Sequence, residues 1–581
     1  MRIGLPLLLC AALLCLLAPA AAAAPPAPFG HACAPRDGAL FCPTPDDAAR
    51  VPSFDGVPLD VDVWLPPTGN GPFPTIVMLH GFGGSKNDFE NLGPAGYNGA
   101  FFARQGYAVV LPSARGFSRS CGVPDSRTAG CERGWIHLDD QRYEARDVQT
   151  LLATLVDELV ASPDKLGVTG ISYGGGLSMQ LAMLADRIRR PDGVTESWQS
   201  PDGVPLAIAA AWPRWPWTDL ADALRPNGRL GLDTYASPVG VDLQAYVNAL
   251  YGLATSTGFV APQGADPEAD LTGWKARIDR GEPYGADERA ALKKLHTYHG
   301  SLGLPIDKGL TPMLIQSGWT DDLFPVGQGL RIYDLLRQKR KTAPVALQLG
   351  DLGHSRAGNH PGDVAAFNAQ GLAFFDARLK HEGRSPAPGS VTAYTQTCPK
   401  RATHGGGPYR AASFSALARG KIVFRHKAAQ RVTSSGGDAA LSQRLSPLTV
   451  DQCVGVPDDV ARGTAIATVR SKGFTLLGMT HVSADVKVTG SDAMLVGRLW
   501  DVDPSRGRQK LVDRGVVRLR SKKVVRFDLN GNGYRFARGH RVKLELLGRD
   551  GPTYRPANGD FSVTLRNLTV TVPTRERQAG R

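Results

Sequence analysis

The stretch Val168-Thr169-Gly170-Ile171-Ser172-Tyr173-Gly174-Gly175-Gly176 joins a short apolar run to a segment of helical composition. Glycines on both sides of a serine permit a turn in which neighbouring Cβ atoms would otherwise collide. The pattern predicts a strand, a sharp turn and a helix, with the hydroxyl of Ser172 held up at the end of a sheet as a nucleophile. An ordinary loop serine is the alternative, because a Gly-rich chain produces Gly-x-Ser-x-Gly by chance.

The segments before this turn alternate between strand and helix patterns. Residues 75–79 and 107–111 are continuous apolar runs, and residues 98–105 between them suit a helix. Unbroken apolar strands are typical of a parallel sheet covered on both faces. The alternation therefore predicts an α/β layer fold.

A glycine-rich loop, His80-Gly81-Phe82-Gly83-Gly84, follows the run at 75–79. In acyl-transfer enzymes of this architecture, this loop and the residue after the nucleophile supply the backbone N–H groups of an oxyanion hole. These positions are Phe82 and Tyr173. A phosphate-binding loop is excluded by spacing, because Lys86 stands where its second glycine belongs. A plain glycine-rich turn remains the alternative.

Two further polar residues each follow a predicted strand. Asp321 and Asp322 come after the apolar segment 311–317, and His354 comes after the strand at 345–349. Asp321 is preferred as the acid because of its position after the strand, four residues before a proline. The order Ser172, Asp321, His354 is that of an α/β-hydrolase triad. A structural histidine at 354 is the alternative.

Changes of pattern divide the chain. The predicted parts are a signal peptide at 1–24, a disulfide-stapled segment at 25–50, an α/β-hydrolase core at 51–217 and 309–383, an inserted helical cap at 218–308 and a β-sandwich at 384–575. The cap is inferred because strand signals stop there. The sandwich is inferred because short alternating segments follow the Gly- and Pro-rich stretch 383–389.

Composition limits the possible partners. The 581-residue chain has a formal net charge of +13, but its Lys and Arg residues do not gather around a nucleic-acid-binding module. The apolar run 7–24 is typical of a secretory signal, and no other stretch is long enough to cross a bilayer. A lipoprotein signal is disfavoured, because Cys15 lacks the small residue expected before it. We therefore expect a secreted protein without stable membrane insertion.

Six cysteines remain once the signal, with Cys10 and Cys15, is removed. In an exported protein such close pairs predict disulfides, although fifteen connectivities exist and buried free thiols are the alternative. The expected pairs are Cys33 with Cys42, Cys121 with Cys131, and Cys398 with Cys453.

The chain resembles the Xaa-Pro dipeptidyl-peptidase-like family, which includes cocaine-esterase-like acyl esterases. The motifs that carry the resemblance are Gly170-Ile171-Ser172-Tyr173-Gly174-Gly175, Gly318-Trp319-Thr320-Asp321-Asp322, Gly353-His354, Gly497-Arg498-Leu499-Trp500-Asp501-Val502-Asp503-Pro504 and Gly539-His540-Arg541. The resemblance implies a jelly-roll C-terminal domain and hydrolysis of esters, amides or peptides with proline second. Family esterases often carry a tyrosine at the oxyanion position, where this chain has Phe82.

Substrate preference is left open by the sequence. Trp212, Trp215 and Trp217 suit an apolar acyl or aromatic group. A dipeptidyl-peptidase would instead need cap carboxylates for a free amino terminus, with Asp219, Asp222 and Asp233 as the candidates. The expected partner is a small ester, an amide or a short peptide.

No metal or organic cofactor is required by this chemistry. His296 and His299 lie close together but lack a further ligand cluster. The alternative from another class is a secreted binding protein with a vestigial triad and a carbohydrate-binding sandwich.

Overall fold

A long mixed sheet forms the centre of the first part of the chain. The computed structural model describes residues 26–91, 96–228, 239–306, 310–519 and 523–577, so the predicted signal peptide lies outside it. In chain order its strands to residue 411 are β1 Ala34–Arg36, β2 Ala39–Cys42, β3 Val51–Pro52, β4 Pro58–Leu59, β5 Val61–Leu65, β6 Phe73–Leu79, β7 Ala108–Pro112, β8 Ala161–Ile171, β9 Arg187–Arg189, β10 Thr195–Ser197, β11 Ile208–Arg214, β12 Met313–Gly318, β13 Val345–Gly350, β14 Val391–Thr395 and β15 Gly406–Ala411.

The strand order of this sheet within the described ranges is β1-β2-β5-β7-β6-β8-β11-β12-β13-β14-β15. The pairs from β7 to β14 are parallel, and the pairs at the two edges are antiparallel. Residues 75–79 are fully buried in β6, as their unbroken apolar character predicts. The carboxyl ends of β6, β8, β12 and β13 consequently meet at one edge of the sheet.

Helices cover both faces of the sheet. The apolar sides of α2 and α10 pack on one face, and those of α3, α4 and α9 pack on the other. The helices of the described residues are α1 Asn87–Asn91, α2 Gly99–Arg104, α3 Glu144–Asp157, α4 Tyr173–Leu184, α5 Leu220–Leu224, α6 Gln244–Thr257, α7 Leu271–Arg280, α8 Ala286–Tyr298, α9 Val326–Lys339, α10 Pro361–Phe375 and α11 Ala439–Arg444. Helices α5 to α8 lie between β11 and β12, in the segment predicted as a cap.

The C-terminal part is an antiparallel β-sandwich, whose strands pair in the order β18-β22-β21-β24-β19-β25-β20-β23, with β16 and β17 also on β25. Most of its buried apolar side chains belong to one cluster, which continues into the cap and includes the stacked rings of Phe474 and Phe536. Trp500 belongs to a second, smaller cluster. The strands are β16 Gly420–His426, β17 Gln430–Thr433, β18 Val456–Pro457, β19 Ala465–Gly478, β20 His481–Gly490, β21 Met494–Asp503, β22 Arg508–Arg518, β23 Val524–Asp528, β24 Asn532–Leu547 and β25 Phe561–Thr574.

Two predicted boundaries need correction. Strand β14, expected to open the sandwich, pairs with β13 through Val391 and Leu347, and β15 extends the same sheet. The stretch 383–389 is therefore a crossover inside the core, where glycine and proline make the turn, and the core extends beyond the predicted boundary at 384. At the other end, β2 pairs with β5 through Leu40 and Leu65, so the segment 25–50 also belongs to the core sheet.

The described chain contains three disulfides, and they join the predicted pairs. None of the helices in the described ranges is both long enough and apolar enough to cross a membrane. The disulfides are Cys33–Cys42, Cys121–Cys131 and Cys398–Cys453.

Close packing of α10 on the sheet generates a stability prediction. A Cβ atom at Gly371 would lie 2.3 Å from the ring of Trp212, whereas one at Gly252 on α6 would meet nothing within 4 Å. We expect Gly371→Ala to destabilise the protein by about 1–3 kcal/mol through overpacking. Gly252→Ala, the matched control, should stabilise it by about 0.4–1 kcal/mol. Thermal unfolding of both variants checks this, and equal Tm shifts would contradict the packing argument.

Candidate active site

Ser172 occupies a strained turn between β8 and α4. Its backbone has φ 59° and ψ −108°, a conformation that costs a non-glycine residue about 1–3 kcal/mol. A Cβ atom at Gly170 would lie 2.4 Å from Gly174 O, and one at Gly174 would lie 2.1 Å from Leu79 O. The two flanking glycines are therefore required by close backbone approach, and they let the turn present the serine hydroxyl beyond the sheet.

A histidine contacts this hydroxyl, and a carboxylate contacts the other side of the same histidine. Ser172 Oγ is 2.7 Å from His354 Nε2. His354 Nδ1 is 2.9 and 2.8 Å from the two carboxylate oxygens of Asp321. The Asp321 side chain is fully buried and that of His354 is 18% exposed, so the structure brings the three predicted residues into one chain of contacts at the edge of the cleft.

Asp321 and its neighbour Asp322 have different partners. Asp321 Oδ1 accepts hydrogen bonds from the backbone N–H groups of Leu323 and Phe324, both at 3.0 Å, which orient it toward His354. Asp322 instead forms a buried ion pair with Arg356. The geometry thus favours Asp321 over Asp322 as the partner of the histidine.

The loop after β6 is anchored against the serine turn. Gly174 N–H donates to His80 O at 2.9 Å. The His80 ring donates from Nδ1 to Gly81 O at 2.7 Å and accepts at Nε2 from Ala114 N–H at 2.9 Å. Burial lowers the pKa of His80, which keeps the neutral imidazole that this arrangement needs. A role for His80 was not predicted from the sequence, although it belongs to the glycine-rich motif.

The two predicted oxyanion positions lie side by side. The ring of Phe82 packs edge-on against that of Tyr173, with centroids 5.2 Å apart. Tyr173 begins α4, where backbone N–H groups have no acceptor within the helix. Phe82 brings no hydroxyl, so the donors available here are backbone N–H groups.

Behind the nucleophile turn lies a buried acidic cluster that the sequence did not reveal. The hydroxyl of Tyr173 accepts from Asp139 N–H at 2.9 Å and donates to Glu144 Oε1 at 3.3 Å. Glu144 also accepts from the N–H groups of His137 and Asp140, at 2.7 and 3.0 Å. Burial raises the pKa of Glu144 to about 8. The only sequence signal was an apolar helix beginning with a glutamate.

An apolar cleft opens from Ser172 into the helical cap, with a volume of about 820 Å³ including its mouth. Helices α6, α7 and α8 contribute side chains such as Leu250, Trp274 and Leu295. Within the described lining, Lys275 is the single charged residue, and it pairs with Asp279 at 2.6 Å. The cleft can therefore accept an uncharged apolar group next to the serine.

The three predicted substrate-binding tryptophans have different locations. Trp217 lines the cleft. Trp215 does not line it: its ring packs against the cluster of Leu352, Phe367 and Tyr394, with its centroid 5.9 Å from that of His354. Trp212 is a correction to the prediction. It is fully buried in the core with Phe375, and its Nε1 donates to Gln348 Oε1 at 3.0 Å, so it does not reach the cleft.

Comparison with known families fits this geometry. A family model described as X-Pro dipeptidyl-peptidase (S15 family) matches residues 55–189, which include the serine turn. A second, described as the X-Pro dipeptidyl-peptidase C-terminal non-catalytic domain, matches residues 471–579 in the sandwich. The segment around the serine turn is thus similar to the S15 family, and part of the sandwich is similar to that family's C-terminal domain.

Solved structures similar to this chain span nearly its full length, and because their identities are low they show a shared fold alone. They include an aminopeptidase from the marine sediment archaeon Thaumarchaeota archaeon (14% identity, TM-score 0.60, 93% of this chain and 97% of the other). A CocE/NonD family hydrolase from Staphylococcus aureus has 14% identity, TM-score 0.57 and coverages of 92% and 94%. An alpha-amino acid ester hydrolase has 16% identity, TM-score 0.59 and coverages of 96% and 100%. No curated protein matches the sequence.

The carboxylates predicted as candidates for binding a free amino terminus have other partners. Asp219 is 2.8 Å from His296 Nδ1 and accepts from Asp222 N–H at the start of α5. Asp222 accepts from Gln328 Nε2 and pairs with Arg331. Neither lines the cleft, and Asp233 lies outside the described residues.

The buried Glu144 gives a pH prediction. Its carboxyl has a pKa of about 8 in the folded protein against a reference of 4.5, so the folded state binds more protons over that interval. Its contribution to stability is therefore lost as pH rises from about 4.5 to about 8. Glu144→Gln removes this titration, so its Tm deficit relative to wild type should narrow between pH 5 and 9. Parallel Tm curves would contradict the assignment.

Proposed function

We propose that this protein is a serine hydrolase of the S15 type, and that it cleaves ester or amide bonds through Ser172, His354 and Asp321. The observation that carries the proposal is the 2.7 Å contact between Ser172 Oγ and His354 Nε2 on a strained turn, backed by the buried Asp321. His354 takes the serine proton as Oγ attacks the carbonyl carbon. Asp321 fixes the imidazole tautomer and stabilises the imidazolium that forms.

The remaining steps follow from the neighbouring groups. The N–H groups of Phe82 and Tyr173 bind the tetrahedral oxyanion. His354 then returns its proton to the leaving alcohol or amine, which leaves an acyl group on Ser172. Water activated by His354 hydrolyses that acyl-enzyme and restores the serine.

We infer that the preferred acyl group is apolar and uncharged. The cleft is built from aliphatic and aromatic side chains, and its charged lining residue, Lys275, is a cation that cannot pair with an ammonium group. Asp219 and Asp222 are already engaged by His296, Gln328 and Arg331. A free amino terminus would consequently lose its hydration without gaining a carboxylate, which favours acyl esters and amides over Xaa-Pro peptides.

The proposal includes export from the cytoplasm. Three disulfides in the described chain suit an oxidising compartment. The apolar N-terminal run 7–24, which lies outside the described residues, has the composition of a secretory signal.

Replacing the triad tests the mechanism. Ser172→Ala should abolish turnover of p-nitrophenyl hexanoate, and Asp321→Asn should lower kcat by about 10⁴-fold, because the imidazole then adopts the wrong tautomer. Ser162→Ala, near the start of the strand that leads to Ser172 and away from the site, is the control and should keep wild-type activity. A Ser172→Ala protein that remains as active as wild type would refute the triad. A wild-type protein inert on all esters and amides would favour the vestigial binding protein.

The cleft predicts a discrimination by charge. Because burying an unpaired ammonium costs about 3 kcal/mol or more, p-nitrophenyl 6-aminohexanoate should show kcat/KM about 100-fold below that of p-nitrophenyl hexanoate. Ala-Pro-p-nitroanilide should likewise be a poor substrate. Leu250→Asp places a carboxylate in the cleft and should reduce the difference in kcat/KM between the two nitrophenyl esters, whereas Leu250→Asn should leave this difference unchanged. Efficient Ala-Pro cleavage by wild type would reverse the proposed preference.

A further inference from the structure

A buried ion pair joins the loops that carry the acid and the histidine. Asp322 adjoins Asp321, and Arg356 stands two residues after His354. Arg356 Nε and Nη2 donate to the two carboxylate oxygens of Asp322 at 2.8 and 2.9 Å. Each side chain is only 1% exposed. A bidentate contact of this kind restricts both distance and orientation, so it limits how far the two loops can move apart.

An arginine of the β-sandwich reaches the same carboxylate. Arg514, on β22, places its Nε 3.5 Å from Asp322 Oδ2 and is itself 1% exposed. Its Nη1 and Nη2 donate to Thr553 Oγ1 and Leu445 O, both at 2.8 Å. The guanidinium is therefore held by residues of the C-terminal part of the chain. Its Nε edge faces the loop that carries Asp321 and Asp322, here called the acid loop.

Close backbone packing fixes the sandwich against that loop. A Cβ atom at Gly533 would lie 2.8 Å from Trp319 Nε1, and one at Gly531 would lie 2.9 Å from Val326 Cγ1. Trp319 and Val326 stand just before and just after the Asp321 loop. This arrangement leaves no room for the loop to shift toward the sandwich.

The histidine loop has a second contact with the same region. Asp351 accepts from Gly358 N–H at 2.9 Å and from Thr320 Oγ1 at 2.5 Å, which ties the His354 loop to the acid loop. Gln452, beyond the core sheet, donates to the other Asp351 oxygen at 2.7 Å. Both loops of the candidate triad are thus supported by groups from the C-terminal part of the chain.

We propose that Arg514 is a positioning residue by which the β-sandwich holds Asp321 and His354 at hydrogen-bonding distance; this rests on the hydrolase function proposed above. Arg514 has no contact with the cleft and acts through Asp322 and Arg356. Its removal leaves the buried Asp322 carboxylate with one cation on one side. The acid and histidine loops, still joined by the Asp322–Arg356 pair, then lose a fixed contact with the sandwich, and Asp321 shifts relative to the imidazole.

The test compares two buried arginines of one strand. Arg514→Met should lower kcat on p-nitrophenyl hexanoate by about 10–100-fold with KM nearly unchanged, because small displacements of catalytic groups slow the chemical step without altering the cleft. Arg514→Lys, which keeps the charge, should recover part of the loss. Arg518→Met is the matched control. Arg518 is also buried on β22, but it pairs with Glu282 of the cap, so its loss should affect Tm and leave kcat close to wild type.

Hydrogen exchange of peptides covering 319–324 and 351–358 gives a readout independent of turnover. Exchange in both loops should rise in Arg514→Met and remain at the wild-type level in Arg518→Met. Wild-type kcat and unchanged exchange in folded Arg514→Met would overturn the proposal, as would equal effects of the two methionine variants. If Arg514→Met does not fold, Arg514→Gln is judged by the same criteria. Failure of wild type to cleave any ester or amide would instead reject the hydrolase function, and the exchange data would still decide the positioning role.

Discussion

The close approach of the serine turn to strand β6 is the constraint on which the site depends. Gly174 lies so near Leu79 that a Cβ atom would collide with its carbonyl oxygen, and its N–H donates to His80 O. This contact joins the end of β8 to the loop that contains Phe82. The positions of Ser172 and of the loop facing it are therefore both fixed by the same two strands at the centre of a parallel sheet. The strain at Ser172 persists because this packing leaves the turn no other conformation.

The acid and the histidine are supported differently. Both lie on loops after strands β12 and β13, toward the side of the sheet where the sandwich packs. Their contacts include a buried pair, Asp322 with Arg356, and a cation from β22. Buried residues of the sandwich, such as Arg514, therefore contact the loop that carries Asp321. Replacing one of these charged residues strongly destabilises the folded state, because its former ion-pair partner stays buried without hydration and without a counter-charge.

The sequence was most informative at reactive side chains that follow a buried strand. Ser172, Asp321 and His354 each come directly after an apolar run, and their spatial proximity follows from a parallel sheet. Trp212 was misassigned because it lies within β11 and faces the core, whereas Trp215 and Trp217 follow the end of that strand at Arg214. Trp215 has φ 52°, so the chain turns there, while Trp212 still points into the core.

Long-range pairing was beyond sequence reasoning for a related reason. Asp219 and Asp222 looked like candidate ligands on a cap, but their partners, including Arg331, come from distant elements. The glycines and prolines of 383–389 suited a linker as well as a crossover, and only the pairing of β14 with β13 distinguishes the two. Arg514 and Glu144 carry no local motif, because their environment is created by packing between segments far apart in the chain.

The apolar cleft also affects the end of a catalytic cycle. Hydrolysis converts a neutral acyl group into a carboxylate next to Ser172. Apart from Lys275, which already pairs with Asp279, the described lining offers this anion no counter-charge. Because an ion loses hydration in apolar surroundings, the lining that admits the neutral substrate also favours departure of the charged product.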